Sequence, residues 1–170
     1  MPELPEVQTI VDDLQAAGLE GARLTRVRLH WPGSVATPTP RAFQARLRGR
    51  RITGIRRRAK YIVFALDGRG ALLLHLRMTG RLQIAAPDQP RAPHERVALE
   101  LADGRELRFH DTRKFGRFYL VDDPDQVLAR LGPEPLEQRF TARRLARRLQ
   151  SHRRRLKPLL LDQAVVAGPG

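Results

Sequence analysis

The residues best suited to chemistry stand at the very start of the chain, in the stretch Met1-Pro2-Glu3-Leu4-Pro5-Glu6. Methionine before a small residue such as proline is normally removed, which would leave Pro2 as a free secondary amine. An α-amino group has a pKa near ~8, against ~10.4 for lysine, so much of it is neutral at cellular pH. Neutral amines attack carbonyl-like carbons, including C1′ of a sugar. A secondary amine then gives a permanently cationic iminium, which favours elimination of the phosphates attached to that sugar.

Two carboxylates accompany this amine. Glu3 could pass protons to and from a sugar in the same site. Glu6 would lie one helical turn further along the same face. The alternative is that Pro2 and both glutamates simply begin a helix, because helix starts favour proline and acidic residues. Residue types alone favour this second interpretation.

Charge points to the partner. The 170 residues carry a formal net charge of +14, and a domain this basic usually meets nucleic acid. A highly soluble surface from an arginine-biased genome is the alternative. Only three basic residues are lysines, namely Lys60, Lys114 and Lys157. In an arginine-rich chain, such lysines could be kept because their amines are compact and titratable.

The composition also excludes several classes of protein. There is no cysteine, so disulfides, thiolate zinc sites and cysteine nucleophiles are excluded within this chain. No apolar run approaches the ~18–20 residues of a membrane span, and the start does not resemble a signal peptide. We therefore expect a cytoplasmic protein with no membrane association.

Hydrophobic periodicity predicts the elements that position these groups. Apolar residues at helical spacing predict an opening helix of about 14 residues that ends at Gly18. Alternation over 26–31 predicts a strand, and a Pro-rich linker over 32–40 precedes a short helix over 41–47. Seven or eight short strands in all, with a hairpin turn at 102–104, predict an antiparallel sandwich or barrel. The expected further strands lie at 52–55, 60–66, 71–76, 97–101, 105–110 and 118–121.

The pattern of short strands ends near Asp123, and a short helix is expected at 124–131. The breaker cluster 132–135 predicts a domain boundary, with residues 1–131 as the first domain and 132–170 as the start of a helical one. A basic helix is predicted over 141–150, facing either DNA or solvent. Apolar clusters at 159–161 and 165–166 then stop at Gly168-Pro169-Gly170, which we interpret as a truncated helical domain.

Six stretches occur in a recognisable order: 1–7, 58–61, 75–80, 111–116, 132–136 and 156–163. Together they resemble the motifs of the formamidopyrimidine-DNA glycosylase family, which includes the related endonuclease VIII group. That group typically has glycine where Leu4 stands. The resemblance covers nearly the whole chain. It implies an α+β, mainly β fold: a helix packed on an antiparallel β-sandwich, followed by the start of a helix–two-turns–helix domain.

The resemblance implies roles for several residues. Pro2 is similar to the family's iminium-forming nucleophile, and Glu3 to the residue that exchanges protons with the sugar, with Glu6 beside them. Lys60 is similar to a lysine that contacts phosphate and assists proton transfer, although an exposed hairpin lysine is the alternative. His75 is similar to a phosphate-contacting histidine, the alternative being a core histidine at a strand end.

The same resemblance implies a DNA-binding surface. Met78, Arg113 and Phe115 match residues that enter the duplex when the damaged nucleotide is flipped out, unless Met78 and Phe115 belong to the core. The remaining matches are with residues or stretches that contact DNA: His94, His152, Arg153 and Lys157.

Some positions depart from the family pattern. Arg77 replaces the usual glycine, Thr112 a proline and Lys114 an arginine, while Pro169 stands where a small apolar residue is usual. The family's four-cysteine zinc finger has no counterpart here, so no cofactor is expected in this chain, whereas full-length relatives bind one zinc.

The resemblance implies a monomeric base-excision-repair enzyme that acts on damaged double-stranded DNA in the bacterial cytoplasm, associated with the nucleoid through DNA. It would release 8-oxoguanine and formamidopyrimidines, then nick the abasic site by β,δ-elimination through a Schiff base at Pro2. An endonuclease VIII-like glycosylase for oxidised pyrimidines and a catalytically inactive DNA-binding fragment stay open as alternatives.

Overall fold

The computed structural model describes residues 1–170 and contains five helices and nine strands. The helices are α1 Leu4–Ala16, α2 Pro40–Leu47, α3 Asp125–Leu128, α4 Ala142–Gln150 and α5 Leu156–Leu160. The strands are β1 Leu24–Leu29, β2 Val35–Thr37, β3 Ile52–Arg58, β4 Tyr61–Leu66, β5 Ala71–His75, β6 Arg81–Ala85, β7 Glu95–Leu101, β8 Glu106–His110 and β9 Arg117–Val121.

Helix α1 confirms the predicted opening helix. Glu3 is its N-cap, and the Glu6 carboxylate accepts a hydrogen bond of 2.8 Å from the Glu3 backbone N–H, which would otherwise lack a partner. The helix packs against β3 and β4. Its buried apolar stripe consists of Leu4, Val7, Val11 and Leu14, and this burial fixes the start of the chain on the sandwich. After Ala17 the chain turns away through Gly18 at φ +70°.

The strands form two sheets, which confirms the predicted sandwich. One sheet has the order β1-β7-β8-β6, and the other has the order β2-β9-β5-β4-β3. All neighbouring strands are antiparallel except β2 and β9, which are parallel. A core of 23 buried apolar residues includes side chains from α1, α2 and both sheets.

The prediction for residues 26–31 is partly wrong. Strand β1 ends at Leu29, and Trp31 lies outside it, 37% exposed, at the start of a short 3-10 turn over Pro32–Ser34. The Pro-rich stretch 32–40, predicted as a linker, contains strand β2. That strand has only three residues, so its sequence carries no usable alternation, and pairing with β9 creates it.

A second strand also has no predicted counterpart. No strand was predicted over Arg81–Ala85, although Leu82 and Ile84 alternate with polar residues there. This strand, β6, lies at the edge of its sheet and pairs only with β8.

Residues 132–170 have a small apolar cluster of their own. Leu159, Val165 and Val166 are buried together, and Phe140, Leu145 and Leu149 pack against them. The basic helix α4 confirms the predicted helix over 141–150, and the Thr141 hydroxyl caps it by accepting from Arg144 N at 3.2 Å. The separate cluster supports a division of the chain near residue 132, which stays a prediction.

Candidate active site and nucleic-acid interface

An open groove of about 840 Å³ lies beside the start of α1. Pro2 and Glu6 form one wall, Met78 stands in the loop between β5 and β6, and His94 comes from the loop before β7. Residues from distant parts of the sequence that were singled out for different roles therefore share one groove. His110, which the sequence analysis did not single out, also contributes to the lining.

Lys60 lies in the tight turn between β3 and β4 and is only 3% exposed, so the alternative of an exposed hairpin lysine is wrong. Burial lowers the pKa of the Lys60 amine, and the nearby carboxylates of Glu3 and Glu6 oppose that shift. Gly170 shows how close these groups are. A Cβ added there would stand 2.7 Å from Lys60 Nζ and 2.9 Å from Glu3 Oε1.

His75 is the last residue of β5 and is 7% exposed. Burial lowers its pKa to about 3, and the positive charges of Arg77 and Lys60 act in the same direction. Its Nδ1 accepts a hydrogen bond of 3.1 Å from the Arg77 backbone N–H, so the single proton of the neutral ring is on Nε2. His75 is thus a core histidine at a strand end, and its contact with phosphate through an Nε2–H donor stays a prediction.

Met78 and Phe115 are 43% and 46% exposed, so the alternative that they belong to the core is wrong. The guanidinium carbon of Arg113 lies 4.7 Å from the centroid of the Phe115 ring, a cation–π geometry. Apolar side chains presented to solvent on loops are suited to insertion between bases.

A buried aspartate connects the β5–β6 loop, which carries Met78, with the β8–β9 loop, which carries Phe115. Asp111 accepts hydrogen bonds from the Thr79 hydroxyl, from Gly116 N at 2.7 Å and from Arg113 N at 3.2 Å. Its own N–H donates to His94 O at 3.0 Å. No role is predicted for Asp111, whose one signal in the sequence is its place as the first residue of the 111–116 motif.

Backbone strain also concentrates at these positions. Four residues other than glycine have a left-handed φ, and each stands at or beside a predicted site residue: Ala59, Arg77, His94 and Lys114. Such a conformation is disfavoured for residues with a side chain and persists where the surrounding structure enforces it, typically at functional sites. At position 77 a glycine, which the resemblance implies for this position, would adopt the left-handed φ of +58° without strain.

The predicted contacts near the end of the chain do not line the groove. His152, Arg153 and Lys157 are all exposed, and the His152 ring is held by Arg148 O at 2.8 Å from Nδ1. Their part in DNA binding stays a prediction.

No set of three or more His, Cys, Asp or Glu side chains is grouped to hold a metal ion, and no helix is long and apolar enough to cross a membrane. Without cysteine, the residues present do not fit a four-cysteine zinc centre.

Comparison with known proteins identifies the family. Residues 1–118 match the model of the formamidopyrimidine-DNA glycosylase N-terminal domain. The chain belongs to the formamidopyrimidine-DNA glycosylase family. The predicted resemblance and fold class are thereby confirmed.

Relatives in this family span the whole chain. The formamidopyrimidine-DNA glycosylase of Protochlamydia amoebophila is 44% identical over 170 residues, and that of Roseiflexus sp. is 49% identical over 173 residues. Both alignments cover 100% of this chain, which spans about 62% and 63% of the relatives' own lengths.

Solved structures of the family share the fold. The Lactococcus lactis enzyme bound non-covalently to DNA with an AP site is 34% identical, with a TM-score of 0.90. That comparison covers 99% of this chain and 65% of the other. A structure of the same enzyme with DNA containing N7-benzyl-Fapy-dG is 35% identical, also with a TM-score of 0.90.

Proposed function

We propose that this chain is the catalytic portion of a bifunctional DNA glycosylase that removes oxidised purines and cleaves the resulting abasic site. One observation carries the proposal: Pro2 shares a groove with exposed Met78 and with His94, next to the Glu3 and Lys60 pair. A nucleophile, proton-exchanging groups and an apolar side chain suited to insertion are what a base-flipping enzyme needs in one place.

The chemistry follows from the amine. With the initiator methionine removed, the Pro2 nitrogen would bond to C1′ of the damaged nucleotide as the base leaves. Opening of the sugar ring, with protons exchanged through Glu3, would give a cationic iminium. This cation would withdraw electrons from the sugar, so that loss of protons from carbon expels the 3′ phosphate and then the 5′ phosphate. The buried, less basic amine of Lys60 is suited to assist these proton transfers.

DNA as the partner is supported by charge and by the relatives. The net charge is +14, and the solved Lactococcus lactis enzymes are bound to damaged DNA. Neutral His75 would donate to phosphate through Nε2–H. We also propose that the exposed stretch 152–157, termed the basic run, contacts the duplex through His152, Arg153 and Lys157. We further propose that the protein is a monomer in the cytoplasm and that this portion of the chain needs no cofactor.

Borohydride trapping tests the proposed function. The chain, with its initiator methionine removed, is mixed with a duplex that contains one abasic site and is then reduced, which turns an iminium into a stable covalent adduct. We expect an adduct that disappears when the amino terminus is blocked chemically. No adduct from a folded chain with a free Pro2 would contradict the proposed activity and favour an inactive DNA-binding fragment.

Substrate choice needs a second measurement. Release of 8-oxoguanine is compared with release of an oxidised pyrimidine from otherwise identical duplexes. Faster release of the oxidised pyrimidine would favour the endonuclease VIII-like alternative over the proposed purine specificity.

A further inference from the structure

Glu134 is a buried carboxylate whose two oxygens are both engaged. It is 5% exposed, and its Oε1 accepts from Ala59 N at 2.5 Å and from Arg58 Nη1 at 3.0 Å. Its Oε2 lies 2.6 Å from Arg57 Nη1. Burial opposes ionisation, but the Ala59 N–H and the guanidiniums of Arg58 and Arg57 together hold the pKa of the Glu134 carboxyl below its usual range. The group is therefore charged at physiological pH.

These three donors come immediately before Lys60 in the β3–β4 turn. Ala59 is buried and has a φ of +51°, a left-handed conformation that is disfavoured for an alanine. Its N–H points to Glu134, so the carboxylate binds the turn in this strained conformation. The next residue, Lys60, then lies buried near Glu3 rather than in solvent.

The same contacts connect three parts of the chain. Arg57 donates from Nε to Gln8 Oε1 on α1 at 2.9 Å, and Arg58 donates from Nη2 to Gly132 O at 2.8 Å. Through Arg57 and Arg58, the Glu134 carboxylate thus connects α1, the β3–β4 turn and the segment 132–135.

We propose that Glu134 is a positioning residue, which sets the Lys60 amine beside Glu3 by holding Ala59 in its left-handed conformation. Its relevance to catalysis rests on the proposed function, because only there do Lys60 and Glu3 act together. The proposal also gives the segment 132–135 a role in the site, although no residue of this segment lines the groove.

The small number of lysines makes Lys60 directly observable. Lysine labelled with ¹³C at Cε gives three side-chain signals, which K114R and K157R variants assign. In E134Q the turn loses its charged anchor. The Lys60 signal should then move toward that of a solvated lysine, and its titration should shift to higher pH as burial is relieved. E137Q is the matched control, because Glu137 faces the same Arg58 but at 3.9 Å and from a half-buried position. A folded E134Q variant with an unchanged Lys60 signal and titration would overturn the proposal.

A second substitution separates positioning from simple anchoring. Glycine adopts a φ of +51° without penalty, so A59G added to E134Q should return the Lys60 signal toward its wild-type position. If Glu134 merely fastens the segment 132–135, A59G would restore nothing, and the proposal would fail.

Borohydride trapping adds a functional readout. Because a misplacement of about 1 Å can cost on the order of a hundredfold in rate, adduct formation in E134Q should slow by roughly ten- to a hundredfold and recover with A59G. The two proposals fail separately. A wild-type chain that forms no adduct contradicts the proposed function, while the NMR response of Lys60 still decides the role of Glu134. Normal adduct formation in E134Q would count against the positioning role alone.

Discussion

The backbone N–H of Arg77 donates to Nδ1 of His75 at 3.1 Å, and Arg77 makes this contact from a left-handed φ of +58°. The strained residue therefore fixes the tautomer of the buried histidine. The guanidinium of Arg77 also helps to keep that ring neutral by lowering its pKa. Arg77 thus carries a cost in backbone strain and adds a positive charge beside His75.

Replacing Arg77 by glycine should relieve the strain. We expect R77G to raise the free energy of unfolding by up to about 1 kcal/mol, because the left-handed penalty outweighs the added entropy of glycine in the unfolded chain. The His75 pKa should also rise above its value of about 3, since one positive charge is removed. Chemical denaturation and histidine NMR measure the two effects. R69G, which changes an exposed arginine that lacks a left-handed φ, is the control. A destabilised R77G would contradict the strain assignment.

The buried His75 predicts a specific pH dependence of stability. The unfolded chain binds a proton at this ring below about pH 6.5, whereas the folded chain does so only near pH 3. Falling pH therefore favours unfolding across that window, by up to about 1.4 kcal/mol per pH unit from this group. An H75Q variant should show a shallower loss of stability between pH 6 and pH 4. Equal slopes for the two proteins would exclude His75 as the source.

Asp111 should be essential to the shape of the β5–β6 and β8–β9 loops, which carry Met78 and Phe115. D111N keeps the size of the side chain but replaces one acceptor oxygen by a donor group, which cannot accept from the backbone N–H of Gly116 or Arg113. Leaving the buried Gly116 N–H unsatisfied should cost about 1–3 kcal/mol of stability. It should also weaken binding to lesion DNA more than to undamaged DNA, as measured by competition titration. D103N, at an exposed aspartate in a hairpin turn, should leave the lesion preference unchanged. An equal loss for both duplexes would contradict this role.

Phe115 should act in nucleotide flipping rather than in folding. Because its ring is exposed and stacks only with Arg113, F115A should change thermal stability little. It should reduce the fluorescence change of a 2-aminopurine placed opposite an abasic site, since the base stack is no longer wedged open. L136A removes another exposed apolar side chain, one outside the 111–116 motif, and serves as the matched control. Identical fluorescence changes for F115A and wild type would rule out insertion.

The basic run that contains Arg153 and Lys157 can be tested by salt dependence. If both side chains contact phosphates, each removal should reduce the slope of log K against log salt by about 0.9. R153Q and K157Q should each show this reduction, whereas R130Q, at an exposed arginine outside the run, should not. An unchanged slope in both variants would mean that the run is a solvated face.

Much of this protein followed from local sequence. The stripe Leu4, Val7, Val11 and Leu14 predicted α1, because helical spacing places these residues on one face whatever surrounds them. Alternation and an Asp-Gly turn likewise predicted the β7–β8 hairpin. The six ordered motifs gave the family and the candidates Pro2, Glu3 and Lys60 directly.

Tertiary structure decided what no local pattern encodes. Strand β2 exists because β9 pairs with it, and Trp31 is exposed because its strand ends before it. Whether Lys60 is buried or solvated depends on tertiary packing around its turn, where Glu134, 75 positions from Ala59, binds the Ala59 N–H. The sequence by itself determined which chemical groups are present and which helices and strands local periodicity favours. Their protonation, strain and proximity depend on burial and on contacts between distant residues, and these arise only when the chain packs.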